Sequence, residues 1–286
     1  PNLPVVPLGI HADDFCFSAV KRQTARIELG ASDDSLVVLY TGRLSFHAKA
    51  HPLAMYQALE SASEQTNKRI ILIECGWHAN DYIKNAFTEA ASIACPSVRV
   101  INLDGRIAAD RANAWASADV FCSLSDNIQE TFGIVPIEAM AAGLPVIVSD
   151  WDGYKDTVRD GVDGYRIPTI GPKPGLGGDL AQKHALGIDT YDMYCGYSSS
   201  LIAMHSQKLT QAFINLFTSA ELREAMGAAG KERARLNYDW RVIIPRYEEL
   251  WQSLNELRLR AKSEGLKESR VWPARLDPTI SFSHYP

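Results

Sequence analysis

No run of about 18 uninterrupted apolar residues occurs in the 286-residue chain, so no segment reads as a membrane-spanning helix. The opening PNLPVVPLGIHADD lacks the basic start, apolar stretch and small-residue cleavage site of a secretory signal. Cysteine is sparse: Cys16, Cys75, Cys95, Cys122 and Cys195 are odd in number and form no C-x-x-C pair, which argues against a disulfide framework or a zinc ribbon. Cys75 and Cys122 end apolar runs and are expected to be small core residues. No Asn-x-Ser/Thr site is present, and the expectation is a cytoplasmic protein with reduced thiols. Charge of one sign is also lacking: 29 Lys+Arg stand against 34 Asp+Glu, a formal net charge of -5, so a polybasic nucleic-acid surface is not expected. Neither G-x-x-x-x-G-K-[ST] nor G-x-S-x-G occurs, which removes the main support for a P-loop triphosphatase or an α/β-hydrolase. No repeat with a period of about 20 to 50 residues is visible, so solenoids and propellers are excluded. The chain starts at Pro1 without an initiator Met. It is therefore expected to be a piece of a longer protein.

What is present is alternation. Short β-branched runs at Leu36–Tyr40, Ile70–Glu74, Val98–Ile101, Val120–Ser123, Pro145–Ser149 and, weakly, Tyr165–Ile167 alternate with amphipathic segments at Pro52–Thr66, Asp81–Ala94, Ala108–Ala118 and Pro136–Ala142. That pattern predicts an α/β fold: a Rossmann-like, mostly parallel sheet with helices on both faces. Pro136 and Gly143 suit the start and end of a short helix. Residues 169–205 open on a Gly/Pro-rich stretch from Thr169 to about Tyr197, too long for an ordinary connection, and read as an inserted surface excursion. Helical spacing returns over Leu201–Phe217, Ala220–Asn237 and Trp240–Ala261, with Ser219 and Asp239 at N-cap positions, giving a helical C-terminal extension. Residues 262–286 carry no periodicity and read as a tail. The expected division is a linker region over 1–20, a domain over 21–261 with its insertion at 169–205, and the tail.

In an open parallel sheet, ligands bind at the carboxyl ends of strands. YTGRLSFHAK over residues 40–49 ends a strand at Gly42 and places Arg43 and Lys49 in the following loop. A guanidinium fork and an ammonium there suit a diphosphate, although two solvated surface cations would look the same. The run ETFGIVPIE over residues 130–138 sets Glu130 and Gly133 in a loop and Glu138 in the first turn of a helix expected to start near Pro136. Free N–H groups around Phe132–Val135 favour an anion, and Glu138 can accept from vicinal ribose hydroxyls. A first-turn Glu is also common simply because it complements the helix dipole. Asp150-Trp151-Asp152 spells the D-x-D of metal-dependent GT-A sugar transferases, but the order of elements does not suit that fold, so a polar strand-end loop is expected. His47 and His51 at i, i+4 would share a helix face as zinc ligands do, but no third ligand is near and no metal site is expected. Gly175–Gly178 follows no strand and reads as a turn, not a phosphate loop.

The run from Glu130 to Glu138, continuing AMAAGLPV, resembles the E-x7-E motif of the glycosyl transferases group 1 family (family 4), retaining GT-B glycosyltransferases that use nucleotide-sugar donors. Flanking features agree in order: VVPLG over 5–9 with Phe15 resembles the interdomain linker, Gly42-Arg43 with Lys49 the phosphate-binding strand end, RDGVDG over 159–164 the turn that follows, and Tyr238-Asp239-Trp240 the start of the closing helix. The likeness covers about residues 4–168 and 205–260. It implies the C-terminal, donor-binding half of such an enzyme, with an N-terminal acceptor domain expected before Pro1. By matching position, Arg43 and Lys49 would grip the donor diphosphate and Glu138 the ribose. Glu130, with the backbone of Thr131, Phe132, Gly133, Ile134 and Val135, would meet the transferred sugar and its phosphate. Gly42 would line the donor site, and Asn102, Leu103 and Arg106 would edge the base. Asp104 stands where the family has a glycine, which leaves the base open. The resemblance implies no cofactor and no metal, with a nucleotide-diphosphate sugar as donor and a saccharide or lipid-linked acceptor. Peripheral membrane contact through Lys21, Arg22 and Arg26 competes with a solvated helix face. The alternatives are a non-catalytic nucleotide-binding or assembly module and a nucleotide-sugar epimerase of the same fold.

Overall fold

The structure, a computed structural model, describes residues 4–265. Most of the expected tail, including Asp277–Phe282, lies outside the described residues. Residues Pro7–Trp240 form one compact unit. At its centre is a six-stranded parallel sheet of β1 (Ser35–Leu44), β2 (Arg69–His78), β3 (Arg99–Asp104), β4 (Val120–Ser123), β5 (Val146–Ser149) and β6 (Gly164–Ile167). Their order is β3-β2-β1-β4-β5-β6. The connecting helices are α1 (Ala19–Glu28), which leads into β1, then α2 (Leu53–Thr66), α3 (Asp81–Ala94), α4 (Ala108–Ser117), α5 (Ile134–Ala141) and the single turn α6 (Tyr154–Thr157). The sheet thus has the doubly wound architecture that the alternation predicts. Strand order reverses at the β1/β4 boundary, and in such sheets the crevice there is where ligands sit.

Because β side chains alternate, each strand feeds two cores. Val38 and Tyr40 of β1 with Leu72 of β2 face α2, α3 and a later helix over Ser206–Thr218, where Tyr56, Leu59, Phe87 and Phe213 close the layer. Val37, Leu39, Ile71 and Ile73 face α4, α5 and a helix over Ala220–Asn237 through Trp115, Ile137, Met140 and Ala234. Each fully buried large side chain contributes about 1.5–3 kcal/mol. Cys75, Cys95 and Cys122 are buried among them, and Cys195 is buried outside these two cores.

The segment after β6, expected as an inserted surface excursion, carries elements of its own. It contains β7 (Thr169–Ile170), α7 (Gly178–Ala185), α8 (Tyr191–Ser199) and β8 (Ala203–Met204), with β7 and β8 paired antiparallel. Its helices gave no periodic signal because α7 has no buried residue and α8 buries only Cys195 and Ser199. Next come α9 (Ser206–Thr218), starting later than Leu201, α10 (Ala220–Asn237) and α11 (Trp240–Ser263). Ser219 caps α10 by accepting from Leu222 N at 3.1 Å. From Arg241 onward α11 belongs to a second unit and is a single long helix that carries Pro245 inside it.

The two ends of the first unit meet. Ile10 N donates to Tyr238 O and Trp240 N to Ile10 O, at 2.8 and 3.0 Å. A Cβ on Gly9 would stand 2.6 Å from the Trp240 ring, so this approach requires glycine. The cations of α1 are engaged rather than free: Arg26 pairs with Asp119 at 3.0 Å, Arg22 donates to Ala118 O and Lys21 to Asn113, both at 2.5 Å. This differs from both a membrane-facing and a solvated face, because Asp119 and the carbonyls ending α4 draw the charges inward to dock α1.

Candidate functional site

The site is built where β1 and β4 end. Gly42 and Gly76 lie side by side in register, and a Cβ on Gly76 would come 1.9 Å from Gly42 O. Past this closure the chain turns at Ser45, whose Oγ accepts from Ala48 N at 3.2 Å while Lys49 N donates to Ser45 O at 3.1 Å. Tyr40 donates its hydroxyl to Arg43 O, and the Arg43 guanidinium donates to Ala48 O at 2.9 Å, which holds that cation against the turn.

The β4 exit supplies the opposing wall. Tyr154 of α6 is fully buried under the loop: its hydroxyl meets Ser123 Oγ at 2.9 Å and donates to Glu130 Oε2 at 3.4 Å. Gly133, the N-cap of α5, has φ 77°, and a Cβ there would stand 2.2 Å from the Tyr154 ring. Only glycine satisfies both conditions. The loop is pinned from both sides, since Asn127 Nδ2 donates to His47 O at 3.1 Å and Trp151 Nε1 to Asn127 O at 3.1 Å. Across the crevice Lys49 Nζ forms an ion pair and hydrogen bond with Glu130 Oε2.

The structure therefore brings Gly42, Arg43, Lys49, Glu130 and the Thr131–Val135 backbone into one crevice at the strand-order reversal. Helix α5 starts at Ile134, two residues before the expected Pro136, because Gly133 sets the cap by its backbone conformation. Two corrections follow. Glu138 sits in the second turn, not the first, and the N–H groups without an intrahelical partner are those of Gly133, Ile134 and Val135, since Pro136 has none. Glu138 is half-buried, and loss of solvent pushes its carboxyl up to about 7 against the opposing pull of Arg111 on α4.

Asn102, Leu103 and Arg106 lie at the end of β3, separated from β1 by the whole of β2. Strand spacing of about 4.8 Å puts them roughly 10 Å from the β1 exit, at the far end of the same edge. Arg106 folds back onto Asp104, with Nε and Nη2 at 2.9 and 2.7 Å, and this hydrogen bonding lowers the Asp104 carboxyl to about 2. Leu103 is half-buried, while Asn102 and Arg106 are exposed.

The other motifs resolve as architecture. Asp150 of the D-x-D run pairs with Arg166 at 3.5 Å, and Asp152 takes a positive φ of 31° in the turn before α6. His47 lies in the Ser45–Lys49 turn and His51 ahead of α2, so the two do not share a helix face; each ring packs on Phe46 instead. Sequence reading missed Tyr154, Asn127, Trp151 and Asp126. The last is buried, accepts from His51 N at 3.4 Å, and is pushed up to about 7 by burial. Their partners lie 24 to 80 residues away in the chain, and no local pattern announces them.

Comparison with known proteins finds relatives of this fold. The family profile described as glycosyl transferases group 1 covers residues 21–170, just over half of the chain. The phosphatidyl-myo-inositol mannosyltransferase of Mycobacterium leprae is 33% identical over 147 residues, covering 51% of this chain and 29% of that protein. The D-inositol 3-phosphate glycosyltransferase of Nocardia farcinica is 26% identical over 248 residues, covering 84% and 54%. Among solved structures, Anabaena HepE in complex with UDP superposes with a TM-score of 0.60 at 20% identity, over 86% of this chain and 56% of that one. That likeness establishes the fold, a GT-B-type Rossmann-like domain. The chain spans only about three tenths to one half of the length of these curated relatives.

Proposed function

Because the chain belongs to the glycosyl transferases group 1 family, we propose that it supplies the donor-binding half of an enzyme that moves a glycosyl group from a nucleotide-diphosphate sugar to an acceptor, with retention of configuration. One observation carries this reading: the Lys49–Glu130 pair closes beside the β1 and β4 exits, where the strand order reverses, and Glu130 stands three residues ahead of Gly133, the N-cap of α5 that no side chain caps. A diphosphate entering there meets Arg43, Lys49 and the positive end of α5, and it competes with Glu130 for the Lys49 ammonium. Glu130 is then free to accept from hydroxyls of the transferred sugar. As the bond between the anomeric carbon and the phosphate oxygen breaks, the electron pair leaves with the diphosphate. The two cations and the α5 amides stabilise that charge, which is the task a divalent ion performs elsewhere. Metal-independent transfer is the corresponding expectation. The acceptor oxygen bonds to the anomeric carbon from the departing side and passes its proton to the departing phosphate oxygen, so configuration is retained.

Glu138 takes the ribose hydroxyls and the β3 exit, with Asn102, Leu103 and Arg106, takes the base. The span from Lys49 across β2 to Arg106 suits the long axis of a nucleoside diphosphate. The acceptor is a saccharide or lipid-linked polyol, a reading that the names of the mannosyl- and inositol-phosphate-directed relatives support. Nucleic acid is not a partner on this reading, given the net charge of -5.

Calorimetric titration of UDP, GDP and ADP, with EDTA and with magnesium, tests the proposal. Expected is binding of one nucleotide in EDTA that weakens at least tenfold in Arg43→Ala and in Glu138→Ala, about 1.4 kcal/mol or more. Undiminished binding in both variants, or none at millimolar nucleotide, overturns it.

A further inference from the structure

A second concavity lies beside the crevice. Helix α8 packs over the turn that follows β1, so closely that a Cβ on Gly196 would stand 3.0 Å from His47 Cβ. Between them opens a cleft of about 580 Å³, walled by Phe46, His47 and His51 on one side, Asp192 and Tyr197 on the other, with Asp126 at its base. Clefts of roughly 300–1,000 Å³ hold small molecules, typically through aromatic walls and a few placed polar groups.

Asp126 makes the cleft specific. Its side chain is only 6% exposed, and while Oδ2 accepts from His51 N, Oδ1 has no hydrogen-bond partner. A buried carboxylate oxygen left unpaired costs free energy until a donor reaches it. The lining states what kind of donor. No Lys or Arg contributes to the wall and two carboxylates do, so a phosphate or carboxylate ligand is disfavoured. Among the described residues no three His, Cys, Asp or Glu side chains converge as metal ligands, so the carboxylates do not form a cation site. A neutral molecule with several hydroxyl donors and an apolar face to lie on Phe46 or Tyr197 remains.

We propose that this cleft, formed by the inserted helix α8 and the Phe46–His51 turn, is a carbohydrate site that binds one pyranose ring, with Asp126 accepting from its hydroxyls and Tyr197 stacking on it. The proposal rests on the glycosyltransferase reading and deepens it. The ring comes either from the acceptor or from the transferred sugar, since His47 and Lys49 share one turn and Asp126 and Glu130 one loop.

The test is amide chemical-shift titration of the whole chain with methyl α-glucopyranoside, methyl α-mannopyranoside and N-acetylglucosamine, and in parallel with UDP-glucose and GDP-mannose against UDP and GDP. Saturable shifts at Gly196 and Ser200 with a free pyranoside assign the acceptor. Shifts there with a nucleotide sugar, but not with its nucleotide, assign the transferred ring. In either case Tyr197→Ala and Asp126→Asn weaken the response at least tenfold, and Tyr197→Ala leaves nucleotide affinity within twofold. Lys49→Ala shows the reverse, losing nucleotide while keeping the free-pyranoside response, which separates failure of this proposal from failure of the donor reading. If no sugar or nucleotide sugar moves the Gly196 and Ser200 amides, or they move equally in Tyr197→Ala, the cleft is not a carbohydrate site.

Discussion

Two neighbouring concavities of one domain share a turn and differ in charge. The crevice between the β1 and β4 exits presents Arg43, Lys49 and the start of α5, while the cleft under α8 presents Asp126 and Asp192 with no cation. The crevice is assembled by elements of the sheet itself, and the cleft only exists because a segment inserted after β6 folds back. On the proposed reading the scaffold supplies an anion grip at the β1/β4 strand exits, and the addition supplies a wall suited to neutral hydroxyls. Division of a donor into charged and uncharged parts is the chemistry such a pair would serve.

The largest effect is expected where backbones touch. Gly76→Val places a side chain within Gly42 O and collapses the β1 exit, and thermal unfolding should show a loss of several kcal/mol together with loss of nucleotide binding. Gly133→Ala combines a positive φ with a clash on Tyr154. A loss of about 2–3 kcal/mol by denaturant titration would confirm that the cap is built by this glycine. A Tyr154→Phe variant removes hydrogen bonds to Ser123 and Glu130 and is expected to cost about 1 kcal/mol, with nucleotide-sugar binding weakened relative to the bare nucleotide because Glu130 loses its positioning partner. If that variant binds the nucleotide sugar as well as the parent does, Tyr154 does not position Glu130.

The pH dependence distinguishes the buried carboxyls. Glu74 and Asp126 are both raised by burial to about 7, from ordinary values of 4.5 and 3.8. A raised carboxyl holds its proton in the folded state over a range where the unfolded chain has released it. Their contribution to stability is therefore fully present below the ordinary values and is lost as pH rises from about 4 to about 7, where the folded groups also ionise. Glu74→Gln and Asp126→Asn should each flatten that part of the melting-temperature profile. The smallest effect is reserved for the outer faces of α7 and α8: Leu186→Ser, at an exposed position, should change stability by no more than about 0.5 kcal/mol and leave nucleotide binding intact.

Much of this could be read from the chain because the sheet obeys local rules. β1 to β6 are β-branched runs, α3 matches its expected bounds, and the 130–138 run marks both a strand exit and a helix start. What stayed hidden is non-local or conformational. The start of α5 is set by the left-handed backbone of Gly133, which composition does not show. Tyr154 and Asp126 act on residues far along the chain, and α8 buries too little to leave a periodic trace.

The most direct measurement is amide chemical-shift titration of nucleoside diphosphates into the chain in EDTA, with Lys49→Ala in parallel. The account predicts that Gly133, Ile134 and Val135 move most, that the amides of Asn102 and Leu103 follow for one base, and that Lys49→Ala abolishes both. Shifts confined to the cleft under α8, or unchanged in Lys49→Ala, would contradict it.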